Sequence, residues 1–294
     1  MLKTTLEQWR MFKAVVDHGG FNQAAQAIHK SQSTIHHAVH KLEESLDLKL
    51  FKVQGRKAVL TEAGELLLRR SEYLLDEAQK MEAVATSLSA GIESRLTIAV
   101  DQIFPQPFLY QMFAKVSGEF PLLRIELVET VLSGAKELLE QGKVDLALAP
   151  EPIKEGFYEE LCPIEFVAVA NPEHPLQQQQ ALTYEDLKSY RQIVVRDSAV
   201  LTSTDKGWLG ARQRWTVSHL RTSIDMVSQG FGYAWLPITH IQTQLDNGTL
   251  KPLPLSHGSK RSSPLYLLFT DADRLGPAAR SLIAELRIQT RDLG

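Results

Sequence analysis

The spacing of apolar residues changes twice along this 294-residue chain, and each change limits what that segment can become. In the first 46 residues they recur at helical intervals. Leu6, Trp9, Phe12, Val15 and Val16 form one face, Ala24, Ala25 and Ile28 a second, and Ile35, Ala38, Val39, Leu42 and Leu46 a third. Between residues 62 and 90 the interval becomes seven. From Leu96 onward, short apolar runs alternate with helical stretches. Three kinds of periodicity predict three kinds of structure: a small helical unit, a long helix, and an α/β unit.

In the first unit Gly19 and Gly20 end one helix, and Ser31 is placed to cap another running from Gln32 to about Leu46. That third helix turns Ser33, His36, His37, His40, Lys41 and Glu44 away from its apolar face. Two short helices joined by a tight turn, the second with a polar N-terminal half, predict a helix-turn-helix. The segments LKLFKV and AVLT then flank Gln54-Gly55-Arg56-Lys57, a hairpin signal that makes the unit a winged helix over residues 1–62. Such a helix lies in the major groove of double-stranded DNA. Gln32, Ser33, Thr34, His36, His37 and His40 are the candidates for base edges. Lys30, Lys41, Arg56 and Lys57 are the candidates for the DNA backbone or minor groove.

Charge agrees with this division. Residues 1–62 hold nine of the 32 basic and six of the 35 acidic residues, a net of +3, so the remainder carries −6. The four-residue spacing of His36 and His40 also suits two metal ligands on a helix. A third ligand is missing, and position 37 is His where an HExxH site needs Glu. DNA contact is therefore the reading taken, with no metal.

The stretch GGFNQAAQAIHKSQSTIHHAVHKLEESLDLKLFKVQGRKAVLTEAGELLL resembles the N-terminal domain of LysR-type transcriptional regulators. AA at 24–25, SQ at 31–32, KLEESL at 41–46, LF at 50–51 and LTEAG at 60–64 stand in the family's order and spacing. The chain departs from the family at Ser33, where Pro is frequent, at His36, where Ser is, and at Val53, where Arg is. The resemblance implies a DNA-binding homodimer or homotetramer controlled by a small molecule, with RNA polymerase as a further partner.

In residues 62–90 Leu67, Leu74, Met81 and Leu88 repeat at seven. The repeat suits pairing with a second chain or packing on the helix's own domain. The resemblance implies the first, a linker and dimerisation helix over 63–92.

The pieces LLEQGKVDLALAP, VAVANPEHPL and MVSQGFGYAWLP extend the resemblance to the family's regulatory domain. That domain is periplasmic-binding-protein-like, with two α/β subdomains. The first is expected at 93–162 plus 265–294 and the second at 163–264. Ligands on open α/β sheets bind beyond the C-terminal strand ends. The effector-binding candidates are Asp101, Gln102, Ile103, Phe104, Thr130, Leu132 and Pro150 from the first half. Arg196, Asp197, Ser198, Thr222, Ser223 and Trp235 come from the second. Asp101 either faces the ligand, disfavouring simple carboxylates unless a cation such as Arg196 offsets it, or caps the helix that follows.

Other classes lack their signatures. The chain has no GxSxG, P-loop or GxGxxG in the right context, so no catalytic residue and no cofactor is expected. A single cysteine, Cys162, cannot form an internal disulfide. No signal peptide or membrane-spanning run is evident, which predicts a cytoplasmic protein without membrane contact. The competing reading is a solute-binding or enzymatic module on the same α/β fold.

Overall fold

The computed structural model describes residues 2–291 except Gly55, Arg56, Thr202 and Asp205, and omits the side chains of Lys57, Ser87 and Leu88. The wing residue Arg56, the Lys57 side chain and the Leu88 side chain therefore lie outside the described residues. The chain forms two compact units, Met1–Ala90 and Gly91–Gly294.

The first unit begins with helices α1 (Leu6–Asp17), α2 (Phe21–Ala27) and α3 (Gln32–Leu46). Thr5 and Gln8 form a capping box on α1. The Ser31 hydroxyl accepts the Thr34 amide at 3.1 Å and starts α3. Met11, Phe12, Ala24, Ile35 and Leu42 are fully buried between the three helices. Strands β1 (Phe51–Gln54) and β2 (Lys57–Leu60) pair antiparallel as the wing.

Glu43 ties the wing to α3. Its buried carboxylate accepts the Leu50 amide at 2.8 Å and the Phe51 amide at 3.2 Å, and meets Lys49 at 2.7 Å. Burial alone would raise its pKa. The Lys49 ammonium and the two amides outweigh burial and hold it below the ordinary carboxylate value.

Helix α4 (Glu62–Ser89) leaves the wing over Gly64, where a Cβ would strike the Leu50 carbonyl oxygen. Leu67, Leu68 and Leu75 on α4 pack against the three-helix core. Leu66, Tyr73, Leu74, Met81 and Val84 lie exposed beside that face. The seven-residue repeat is thus divided: Leu67 serves its own domain, while Leu74 and Met81 face outward.

The second unit is built on a nine-stranded sheet among the described residues. Strand β3 (Arg95–Asp101) lies between parallel neighbours β4 (Arg124–Thr130) and β5 (Leu146–Ala149). Helices α5 (Gln106–Glu119) and α6 (Gly134–Glu140) connect them. Strand β6 (Phe157–Ala170) is long, and a short helix α7 (Tyr184–Leu187) follows it. Strands β7 (Arg191–Val195), β8 (Gln213–Val217) and β9 (Tyr233–Pro237) form the second parallel group, with helices α8 (Leu220–Ser228) and α9 (Ile238–Asp246). The short β10 (Lys251–Pro252) pairs with β6. Strand β11 (Lys260–Phe269) returns antiparallel between β5 and β6, and helix α10 (Pro277–Thr290) closes the first half.

The two long strands β6 and β11 run through both halves of the sheet. Pro163 faces Pro264 across their ladder. Neither proline can donate a ladder hydrogen bond, and the register shifts just beyond, between Leu265 and Tyr266. We place the division between the halves there. Cys162, beside it, is buried, and burial pushes its thiol up to about 11.

Candidate functional site

Two surfaces carry functional geometry, one in each unit. In the first unit Gln32, Ser33, Thr34, His36, His37, His40 and Lys41 are all exposed on α3. The Ser33 and Thr34 hydroxyls are already bonded to the capping Ser31, at 2.9 and 2.7 Å. His36 is stacked on Phe21, with ring centroids 3.9 Å apart. The His40 Nδ1 lies 3.4 Å from Glu44, and Lys30 lies 3.7 Å from Glu7. Gln32, His37 and Lys41 have no side-chain partner among the described residues and project freely. Among those residues no group of three His, Cys, Asp or Glu is close enough to hold a metal ion.

In the second unit a cavity of about 170 Å³ lies between the two halves of the sheet. Seven of the thirteen effector candidates line it: Asp101, Gln102, Ile103, Leu132, Pro150, Ser223 and Trp235. The others do not. Phe104 is buried in the first half's core, and Thr130 is buried at the end of β4. Thr222 is exposed on the outer side of α8. Arg196 is exposed and lies outside the cavity lining, so it is not the cation that offsets Asp101.

Asp197 and Ser198 act as fastenings. Asp197 accepts the Ser133, Ala199 and Thr204 amides at 3.1, 2.9 and 2.9 Å. The Ser198 hydroxyl accepts the Val131 amide at 2.9 Å and donates to the Val131 carbonyl. Together they pin the segment after β7 to the first half. A second link is Gln102, whose Oε1 accepts the Leu220 amide at 2.7 Å while its amide nitrogen lies 3.1 Å from His219 Nδ1.

Asp101 is 1% exposed and spends both carboxylate oxygens on backbone. Oδ1 accepts the Ile103 amide at 3.0 Å, and Oδ2 accepts the Leu132 amide at 2.6 Å. Leu132 has φ of 54°, a left-handed conformation that a Leu rarely adopts and that its surroundings must impose. Burial pushes the Asp101 pKa up to about 7 against the pull of the two amides. Asp101 does not cap the helix that follows, since Pro105 stands at the cap of α5; its carboxylate instead fastens the Ile103 and Leu132 backbone.

Further lining residues were not legible in the sequence, among them Phe166, Gln192, Lys206, Trp208, Leu220 and Arg261. Lys206 pairs with Glu151 at 2.5 Å. Trp208 stacks on Tyr184 and lies 5.9 Å from Trp235 between ring centroids. The Arg261 guanidinium carbon sits 4.1 Å above the Trp235 ring. Two buried wall atoms, Ser223 Oγ and Gln192 Oε1, have no hydrogen-bond partner among the described residues. Orphaned polar atoms on a cavity wall suit a polar ligand.

The model for the LysR-family bacterial regulatory helix-turn-helix protein matches residues 6–65, and that for the LysR substrate binding domain matches residues 89–291. The HTH-type transcriptional regulator YhaJ of Escherichia coli O157:H7 is 31% identical over 256 residues, covering 84% of this chain and 85% of its own. The HTH-type transcriptional regulator AceR of Acinetobacter baumannii is 29% identical over 289 residues, covering 96% of each chain. Among solved structures, full-length AphB of Vibrio cholerae matches with a TM-score of 0.55 at 21% identity, over 98% of this chain and 100% of its own. Full-length LysG of Corynebacterium glutamicum with bound effector Arg matches with a TM-score of 0.53 at 19% identity, over 98% and 99%. At such identities these structures speak to the fold alone. The two family models together span both units, and the chain belongs to the LysR family of transcriptional regulators, with a helix-turn-helix and an effector-binding domain.

Proposed function

We propose that this protein binds specific double-stranded DNA sites through α3 and the wing, and that a small molecule in the cavity between the halves of its second unit controls that binding. The observation that carries the reading is the cavity itself. Bonds between the two halves flank it, and Ser223 Oγ and Gln192 Oε1 on its wall have no partner among the described residues. LysG, solved with an effector, supports the same use of the fold.

The working unit is a homodimer or homotetramer in the cytoplasm, paired through the exposed face of α4. Two-fold proteins of this type read paired half-sites. An effector that favours one arrangement of the assembly shifts the population toward it, and with it contact to RNA polymerase.

Selection of genomic fragments by the purified full-length chain, followed by footprinting, tests the reading. A few enriched sites with a two-fold symmetric core are expected. Absence of any enrichment, with or without added metabolites, would overturn it.

A further inference from the structure

The cavity's charge and ring content restrict what can occupy it. Arg261, the second residue of β11, is half-buried, stacked on Trp235 and 3.3 Å from the Tyr184 hydroxyl. Among the described residues no carboxylate lies within ion-pair distance of it. The other charges on the wall are spoken for: Lys206 by Glu151, and Asp101 by the Ile103 and Leu132 amides. Among the described residues Arg261 is thus the charge on the cavity wall that no opposite charge or backbone amide meets. A guanidinium held against a ring keeps its edge free for a bidentate bond to an anion.

The faces beside it are aromatic. Trp208, Trp235 and Phe166 line the same space, which at about 170 Å³ is near the roughly 150 Å³ that admits a benzene-sized molecule. Flat ligands gain dispersion and stacking on such walls. Gln192 Oε1, 5% exposed as a residue, calls for a donor on the ligand, and the Ser223 hydroxyl can supply one to it.

We propose that the effector is a single-ring aromatic anion, its ring against Trp208 and Trp235 and its carboxylate on Arg261, with a ring hydroxyl or amino group meeting Gln192. This class rests on the effector-cavity reading above. It reverses the expectation from Asp101, because that carboxylate is turned to backbone and the free charge is cationic.

Isothermal titration calorimetry on the full chain tests it. The probes are benzoate, its three hydroxy isomers and phenylacetate, against benzamide, benzylamine and acetate. At least one aromatic carboxylate is expected to bind more tightly than benzamide, benzylamine or acetate. Arg261→Gln is expected to lower its affinity about tenfold or more, with Arg261→Lys recovering part of the loss. A thermal midpoint for R261Q matching the parent excludes misfolding, and benzamide binding should be unmoved by R261Q.

Failure of every aromatic carboxylate to bind overturns the proposal, as does an affinity unchanged in R261Q or preferred binding of the amine or amide. An aromatic carboxylate that binds through Arg261 without altering the footprint on selected DNA leaves the ligand class standing and overturns the regulatory reading.

Discussion

His36 lies flat on Phe21, the two rings 6° from parallel. The contact joins the exposed face of α3 to the start of α2 and fixes one imidazole edge toward solvent. Phe21 in turn meets Phe51 of the wing edge-on, with centroids 5.6 Å apart. His36→Ala is expected to weaken binding to the selected DNA sites about tenfold, the scale of one base contact, with little change in stability. Phe21→Leu should weaken binding less and cost about 1 kcal/mol of stability through the lost ring contacts. Fluorescence anisotropy with labelled fragments and thermal unfolding separate the two effects.

Glu43 gives the first unit an acid-sensitive fastening. Its pKa is held low in the folded chain, so it binds fewer protons there than when unfolded. Its contribution is present at neutral pH and is lost as pH falls through the folded value. Glu43→Gln is expected to destabilise the first unit by about 2 kcal/mol at pH 7, the scale of a charged hydrogen bond to buried amides. The gap between variant and parent should narrow as pH falls below the ordinary carboxylate value of 4.5. A gap that stays constant in pH-resolved thermal melts would assign the effect to packing alone.

The sequence carried the helices because their periodicity is local, and Ser31 marked the start of α3 through capping chemistry alone. It also carried β3, β4 and β5, whose apolar runs are bounded by helical stretches. The cleft position followed from strand ends and from the family resemblance. Trp208 and Arg261 were missed for a physical reason. Trp208 sits in a segment without periodic pattern, and its place is set by tertiary contacts with Tyr184 and Trp235. Arg261 lies in the polar first residues of β11, KRSS, where no apolar run marks a strand. Asp197 and Ser198 follow a strand end as ligand-binding residues do, and a single sequence cannot tell a fastening across a cleft from a contact to what fills it.

Asp101 holds Leu132 in its left-handed conformation through a 2.6 Å bond, and burial raises its pKa to about 7. A carboxyl raised on folding binds more protons folded than unfolded. The stability it contributes is full below the ordinary carboxylate value and falls as pH rises through about 7. The second unit should therefore lose stability between pH 5 and 8 more steeply in the parent chain than in Asp101→Asn. At pH 5 the variant should be the less stable, since Asn offers one acceptor oxygen where two amides need one each. Parallel melting profiles of the two proteins across that range would contradict this account.

The exposed side of α4 sets the last expectation. Leu66, Tyr73, Leu74, Met81 and Val84 occupy one stripe beside the face through which Leu67, Leu68 and Leu75 pack on the three-helix core. Tyr73 is 75% and Met81 70% exposed, large apolar areas for a helix to leave in water. Pairing with a second α4 would cover them. Met81→Asp together with Val84→Asp places charge in that stripe without touching the side that serves the three-helix core. The double variant should keep the parent's helix content and unfold at a similar temperature. In sedimentation at micromolar concentration it should shift toward the monomer. Its affinity for a two-half-site fragment should drop by about two orders of magnitude as the avidity of paired domains is lost, while binding to an isolated half-site stays within a factor of about two. A variant that remains dimeric would move the interface to the second unit.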